Sequence, residues 1–80
     1  MKDLSEILTI ERKRNNMTQR ALGINSHVTP ATINQIEIAG CIPSPHILNL
    51  LAESLGIDPM RLKRAAVNEK TKALKRKYLS

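Results

Sequence analysis

The stretch MTQRALGINSHVTPATINQIEIAG, from Met17 to Gly40, contains two helix starts, a turn between them and a helix stop. Thr18 is a residue type that caps helix N-termini, and Met17 with Leu22 forms the apolar pair that brackets such a start. Thr29-Pro30 opens the second helix. There the threonine oxygen caps, and proline at the first helical position loses no hydrogen bond and already has a helical φ. Val28 and Ile33 repeat the apolar bracket. Gly40 suits the left-handed residue that closes a helix.

The same punctuation continues outward. Ser44-Pro45 and Asp58-Pro59 each place an oxygen acceptor before a proline, and Ile57 brackets with Leu62. Asp3 with Glu6 resembles a capping box. Asn15-Asn16 and Gly56 provide further stops. These signals predict helices over 3–15, 18–25, 29–39, 44–55 and 58–67. Leu4, Ile7 and Leu8, then Ile33 and Ile36, then Leu48, Leu51 and Leu55 give the first, third and fourth an apolar stripe at helical spacing. Loops this short force a compact bundle. The expected fold is all-α, five helices, with residues 1–67 as one domain and 68–80 as a basic tail or an extension of the fifth helix.

Composition agrees with that class. Eighty residues bury only about 60% of the unfolded surface, so the core is thin. The nineteen Leu and Ile residues suffice for helix packing, and the lack of Phe and Trp argues against a sheet. One cysteine, Cys41, cannot form an intramolecular disulfide and reads as a small loop residue without chemistry. No apolar run nears the roughly 18 residues of a membrane span, and the charged start Met1-Lys2-Asp3 is unlike a secretory signal. A cytoplasmic location is expected.

The net charge of +6 is unevenly placed. Residues 61–80 hold eight basic side chains and one acid, whereas residues 1–60 hold five basic and six acidic. From Ala21 to Met60 there is no Lys or Arg. A basic tail either binds a polyanion or merely solubilises the chain.

Taken jointly, Met17-Thr18-Gln19, Leu22, Val28-Thr29, Thr32-Ile33, Ile36-Glu37, Pro43-Ser44, Leu48, Leu51-Ala52 and Leu55-Gly56-Ile57 resemble the phage-repressor helix-turn-helix family. These are the Cro and lambda-repressor type, with the XRE-like small regulators. The likeness covers residues 4 to about 66 and implies a five-helix lambda-repressor-like DNA-binding domain. Departures are informative. Gly23 stands where the family has alanine, which preserves close helix approach but loosens the helix. Ser26 gives up a core contact, and His27 must take the turn conformation usually left to glycine. The loop Ala39-Gly40-Cys41-Ile42 lacks the family's Lys or Arg for phosphates.

On a helical wheel of the third helix, Ile33, Ile36, Glu37 and Gly40 share the inward face, and Ala31, Asn34, Gln35 and Ile38 the outward one. Short amides and methyls suit base edges: Asn or Gln can pair bidentately with adenine, and Ala or Ile can touch a thymine methyl. The resemblance implies base contacts from Pro30, Ala31, Thr32, Asn34 and Gln35. It also implies that Gln19 is a phosphate ligand, supported by free N–H groups at its helix N-terminus. Thr18 is either a second phosphate ligand or the cap of that helix. Arg14 and Arg20 are the nearest cations, either phosphate ligands or solvated surface. Ser44 and His46 could donate to phosphates from the start of the fourth helix. Glu37 falls on an inward face four residues after Ile33, and Arg12 follows Leu8 by four on the first helix. A lone buried carboxylate is costly, so each explains the other if they pair, and the resemblance implies that structural ion pair.

Val67, Leu74 and Tyr78 recur at spacing that would place an apolar seam on an extended fifth helix. Such a seam could form a dimer, or the tail could lie along DNA. The leading reading is a sequence-specific binder of double-stranded DNA, a transcriptional repressor acting as a homodimer on a palindromic operator. The alternative is a protein-interaction module on the same fold, an antitoxin or anti-repressor. Two His, one Cys and scattered acids form no nucleophile–base or metal set, so neither enzymatic activity, metal, cofactor nor small-molecule ligand is expected.

Overall fold

Four side-chain oxygens accept from backbone N–H groups three residues on and start four helices. Asp3 accepts from Glu6 at 3.1 Å, Thr18 from Ala21 at 3.0 Å, Thr29 from Thr32 at 3.2 Å and Ser44 from Ile47 at 3.4 Å. Each cap satisfies one amide that has no intrahelical partner. The computed structural model describes residues 3–67. In it α1 is Leu4–Arg14, α2 Gln19–Ser26, α3 Pro30–Ala39 and α4 Pro45–Leu55. The fifth, α5, covers 59–67, to the last described residue. No strand occurs among the described residues. The fold is all-α, as expected, and the differences are confined to the ends. Predicted ranges counted the caps as helical, and α2 runs one residue further, through Ser26.

The stops are left-handed residues: Asn16 at φ 56°, His27 at 60°, Gly40 at 70° and Gly56 at 68°. His27 thus carries the conformation expected of it, which most side chains disfavour. Of the Asn15-Asn16 pair, Asn16 takes the left-handed position. Asn15 instead turns its side-chain amide back onto the Glu11 carbonyl at 2.8 Å.

The core is built from Leu4 and Leu8 of α1, Leu22 of α2, Ile33 and Ile36 of α3, Leu48 and Leu51 of α4, and Leu62 of α5, all essentially sealed. α3 packs against α1 and α2, and α2 also packs against α4. Ser26 is buried, not excluded from the interior. Its hydroxyl donates to the Leu22 carbonyl at 2.7 Å, so no polar group is left unpaired. Gly23 is required rather than merely tolerated. A Cβ there would lie 2.7 Å from the Val28 carbonyl oxygen and 3.1 Å from the Pro30 ring. The turn between α2 and α3 folds back onto that bare backbone.

One buried carboxylate stands outside the sequence-based reading. Glu11 has 5% side-chain exposure and binds Arg61 at 2.8 Å, with Arg14 at 3.4 Å. It clamps α1 to α5. Its place in the stripe, four residues after Ile7, was the available signal. Residues 68–80, and with them Leu74 and Tyr78, lie outside the described residues.

Candidate nucleic-acid interface

Three sealed residues, Leu22 on α2 and Ile33 and Ile36 on α3, fix how the two helices cross. That packing leaves the opposite side of α3 free. Pro30, Ala31, Asn34 and Gln35 are exposed, Thr32 is half-buried, and Ile38 is 76% exposed. The predicted wheel therefore corresponds to the observed faces. Gly40 is the exception: it ends the helix and is exposed instead of packing inward. Neutral methyl and amide groups facing water gain little there, because the driving force for exposure belongs to charged groups.

Behind this face lies a polar chain. Arg12 on α1 donates to Glu37 on α3 twice, Nε to Oε2 at 2.8 Å and Nη2 to Oε1 at 3.0 Å. Its third contact is Nη1 to the Met17 carbonyl at 2.8 Å, which holds the loop before α2. Side-chain exposure is 12% for Arg12 and 3% for Glu37. Burial alone would raise the Glu37 carboxyl. Hydrogen bonds from Arg12, with smaller ones from Gln19 and Thr9 and the charge of Arg12, hold it below the ordinary glutamate range. The bond to Glu37 likewise raises Arg12, against the opposing effect of burial.

Gln19 continues the chain. Its Nε2 donates to Glu37 Oε1 at 3.4 Å, and its Oε1 accepts from Asn34 Nδ2 at 3.2 Å. The first side chain of α2 is thus joined both to the buried pair and to the exposed face of α3. Gln19 is half-buried as a residue and sits at the N-terminus of α2.

The other predicted phosphate ligands lie at the surface. Thr18 caps α2 with its oxygen, Ser44 caps α4, and His46 is exposed. Arg20 is exposed. Arg14 is 72% exposed and touches Glu11. Cys41 is exposed and free. Three more large apolar side chains are exposed among the described residues: Ile24 on α2, at 68%, and Met60 and Val67 on α5, at 48% and 60%. Among the described residues no helix is long and apolar enough to cross a membrane.

A family model described as helix-turn-helix matches residues 8–62, from within α1 through α2, α3 and α4 to the start of α5. No curated protein and no solved structure matches the chain.

Proposed function

The chain belongs to the helix-turn-helix family and is a DNA-binding regulator; from that premise we propose that it reads one duplex sequence through the outer face of α3 and represses transcription as a homodimer. The observation that carries this reading is the free, uncharged surface formed by Ala31, Asn34 and Gln35. A helix presenting amides and methyls at that spacing fits the major groove, where each good bidentate pair discriminates by about 1–3 kcal/mol. Pro30 and Thr32 complete the reading edge. Gln19, Thr18 and the N-terminal amides of α2 bind phosphate on one side; Ser44, His46 and the start of α4 bind it on the other. Arg14 and Arg20 add charge near α2.

Between Ala21 and Met60 the protein has no Lys or Arg, so backbone amides, hydroxyls and His46 take the place of lysines in that region. The remaining electrostatic attraction comes from the ends of the chain, above all from the eight basic residues of 61–80. A single domain reads only a half-site. Two copies with recognition helices about 34 Å apart would read a palindrome. The dimer contact is placed on the C-terminal side, at Val67, Leu74 and Tyr78. Repression follows from occluding a promoter in the cytoplasm, and no catalysis, cofactor or metal enters the scheme.

Ile24 and Ile38 favour a second reading, a protein-interaction module on the same fold, since both expose a large apolar side chain. Selection from random duplexes followed by a salt titration separates the two. With about eight phosphates neutralised per dimer, log affinity should fall against log salt with a slope near −7. Selection of a palindrome with that slope supports the repressor. Failure to select any duplex, together with a protein partner that co-purifies, supports the module.

A further inference from the structure

We propose that Glu37 is a positioning residue for base recognition: through Gln19 it sets which end of the Asn34 amide is donor and which is acceptor. The inference rests on the reading that Asn34 faces bases. It adds a fixed direction to a side chain whose two ends are otherwise interchangeable.

The direction follows from hydrogen-bond chemistry. An ionised carboxylate can only accept. Glu37 is held ionised in its place by two guanidinium bonds, at 2.8 and 3.0 Å. Gln19 must therefore turn its N–H₂ toward Glu37, where Nε2 lies 3.4 Å from Oε1. That choice leaves the Gln19 oxygen pointing the other way. It meets Asn34 Nδ2 at 3.2 Å, and Asn34 is obliged to donate. In the series Glu37, Gln19, Asn34 each of the two amides has its sense set by the group before it, and the series starts at a buried carboxylate that cannot reverse.

At its outer end, Asn34 is exposed. With one N–H committed to Gln19, it still has an oxygen and a second N–H. Those are the two groups adenine requires at N6 and N7. Guanine offers two acceptors at the same edge and would leave the oxygen unpaired. An unanchored asparagine could rotate by half a turn and meet guanine O6 with its N–H₂, so the anchor favours adenine over guanine at the position Asn34 reads. Had the amide been free in solution, it would have lost rotamer freedom on binding. Here that ordering is done before DNA arrives.

The test uses the full chain and has two arms. In the first, without DNA, nitrogen-15 NMR follows the side-chain N–H₂ protons of Asn34 in the wild type and in Gln19→Met and Glu37→Gln. Gln19→Met keeps the length of the side chain and removes both polar atoms. The expected result is a pair of well-separated Asn34 protons in the wild type that converge on ordinary exposed-amide values in Gln19→Met and leave their wild-type positions in Glu37→Gln, where the new amide can donate as well as accept; Asn34 protons unmoved in a folded Glu37→Gln would overturn the part given to Glu37. Unchanged Asn34 protons in Gln19→Met would overturn the relay itself, and retained helical circular dichroism verifies that this variant is folded.

The second arm measures affinity of wild type, Gln19→Met, Asn34→Ala and the double variant for the selected duplex and for versions with each base pair replaced. The expected result is that Gln19→Met and Asn34→Ala lose preference at the same base pair, roughly tenfold in the ratio of affinities. The double variant should lose no more. If Gln19 acted only on phosphate or on stability, all duplexes would weaken together and the ratio would stay intact, which would overturn the proposal. If Asn34→Ala leaves every preference unchanged while the NMR arm succeeds, then Asn34 does not read bases. In that case the parent reading has failed and the proposal falls with it, although the relay exists.

Discussion

Replacing Glu37 with leucine removes the acceptor of two guanidinium hydrogen bonds and leaves Arg12 with the Met17 carbonyl alone. With exposures of 12% and 3%, the pair is largely out of water. Breaking one side of a buried pair costs about 3–5 kcal/mol, because the remaining charge is desolvated without compensation. Arg12 keeps a narrow path to solvent and one carbonyl, which puts the expected loss near the lower figure, about 3 kcal/mol. For a domain of this size each kcal/mol moves Tm by about 4–8 °C, so the midpoint should fall by roughly 12–24 °C. Replacing both partners, Arg12→Met with Glu37→Leu, removes the stranded charge and should recover all but about 1 kcal/mol, the residue being the unbonded Met17 carbonyl. Thermal unfolding monitored by helical circular dichroism at neutral pH, on wild type, both singles and the double, measures each corner of the cycle. A loss below about 1 kcal/mol for Glu37→Leu, or a double variant as unstable as that single, would show that no desolvated charge is stranded when the pair is broken.

Three further outcomes are expected. Gly23→Ala should destabilise, even though alanine favours a helix by about 1 kcal/mol, because the new methyl meets a backbone carbonyl at 2.7 Å that cannot swing aside; a raised Tm would contradict the close packing of the turn. The Glu37 carboxyl lies below its ordinary value of 4.5, so the stability it provides is complete above about pH 5 and disappears as the pH falls through the lower folded-state value; unfolding midpoints measured from pH 7 to 3 should drop less in the double variant than in wild type. Gln35→Ala should weaken the selected duplex by roughly 5- to 150-fold while leaving unrelated duplexes nearly unchanged, whereas Lys75→Ala or Arg76→Ala should weaken all sequences alike if the tail binds phosphate; filter or anisotropy titrations distinguish the two patterns.

What could be read from the amino-acid order was mostly local. Thr18, Thr29, Ser44 and the prolines after two of them start helices by chemistry contained within four residues, so the element order needed no tertiary information. The apolar stripes placed Ile33 and Ile36 inside and Ala31, Asn34 and Gln35 outside by the same arithmetic. Arg12 with Glu37 was legible because each broke an apolar stripe with a charge of the opposite sign. Glu11 broke the same stripe and went unread, since its partner Arg61 lies fifty positions away and α5 has to pack on α1 before the two meet.

Gly23 shows another limit. From the sequence it reads as a residue that allows close helix approach but loosens the helix, and that it is required appears only once His27 at φ 60° turns the chain so that Val28 and Pro30 close on it. The link from Gln19 to Asn34 likewise depends on the crossing of α2 and α3. Gln19 stood out as a candidate phosphate ligand, but its place between a buried carboxylate and an exposed amide is a property of the assembled pair of helices.

The most direct measurement is a nitrogen-15 NMR titration of the full chain with its selected duplex. The largest changes should fall on the backbone amides of Ala31 to Gln35 and on the side-chain amides of Asn34 and Gln35, with Thr18 to Arg20 close behind. Changes confined to α5 and the residues after it, with the outer face of α3 left as it was in free protein, would contradict it.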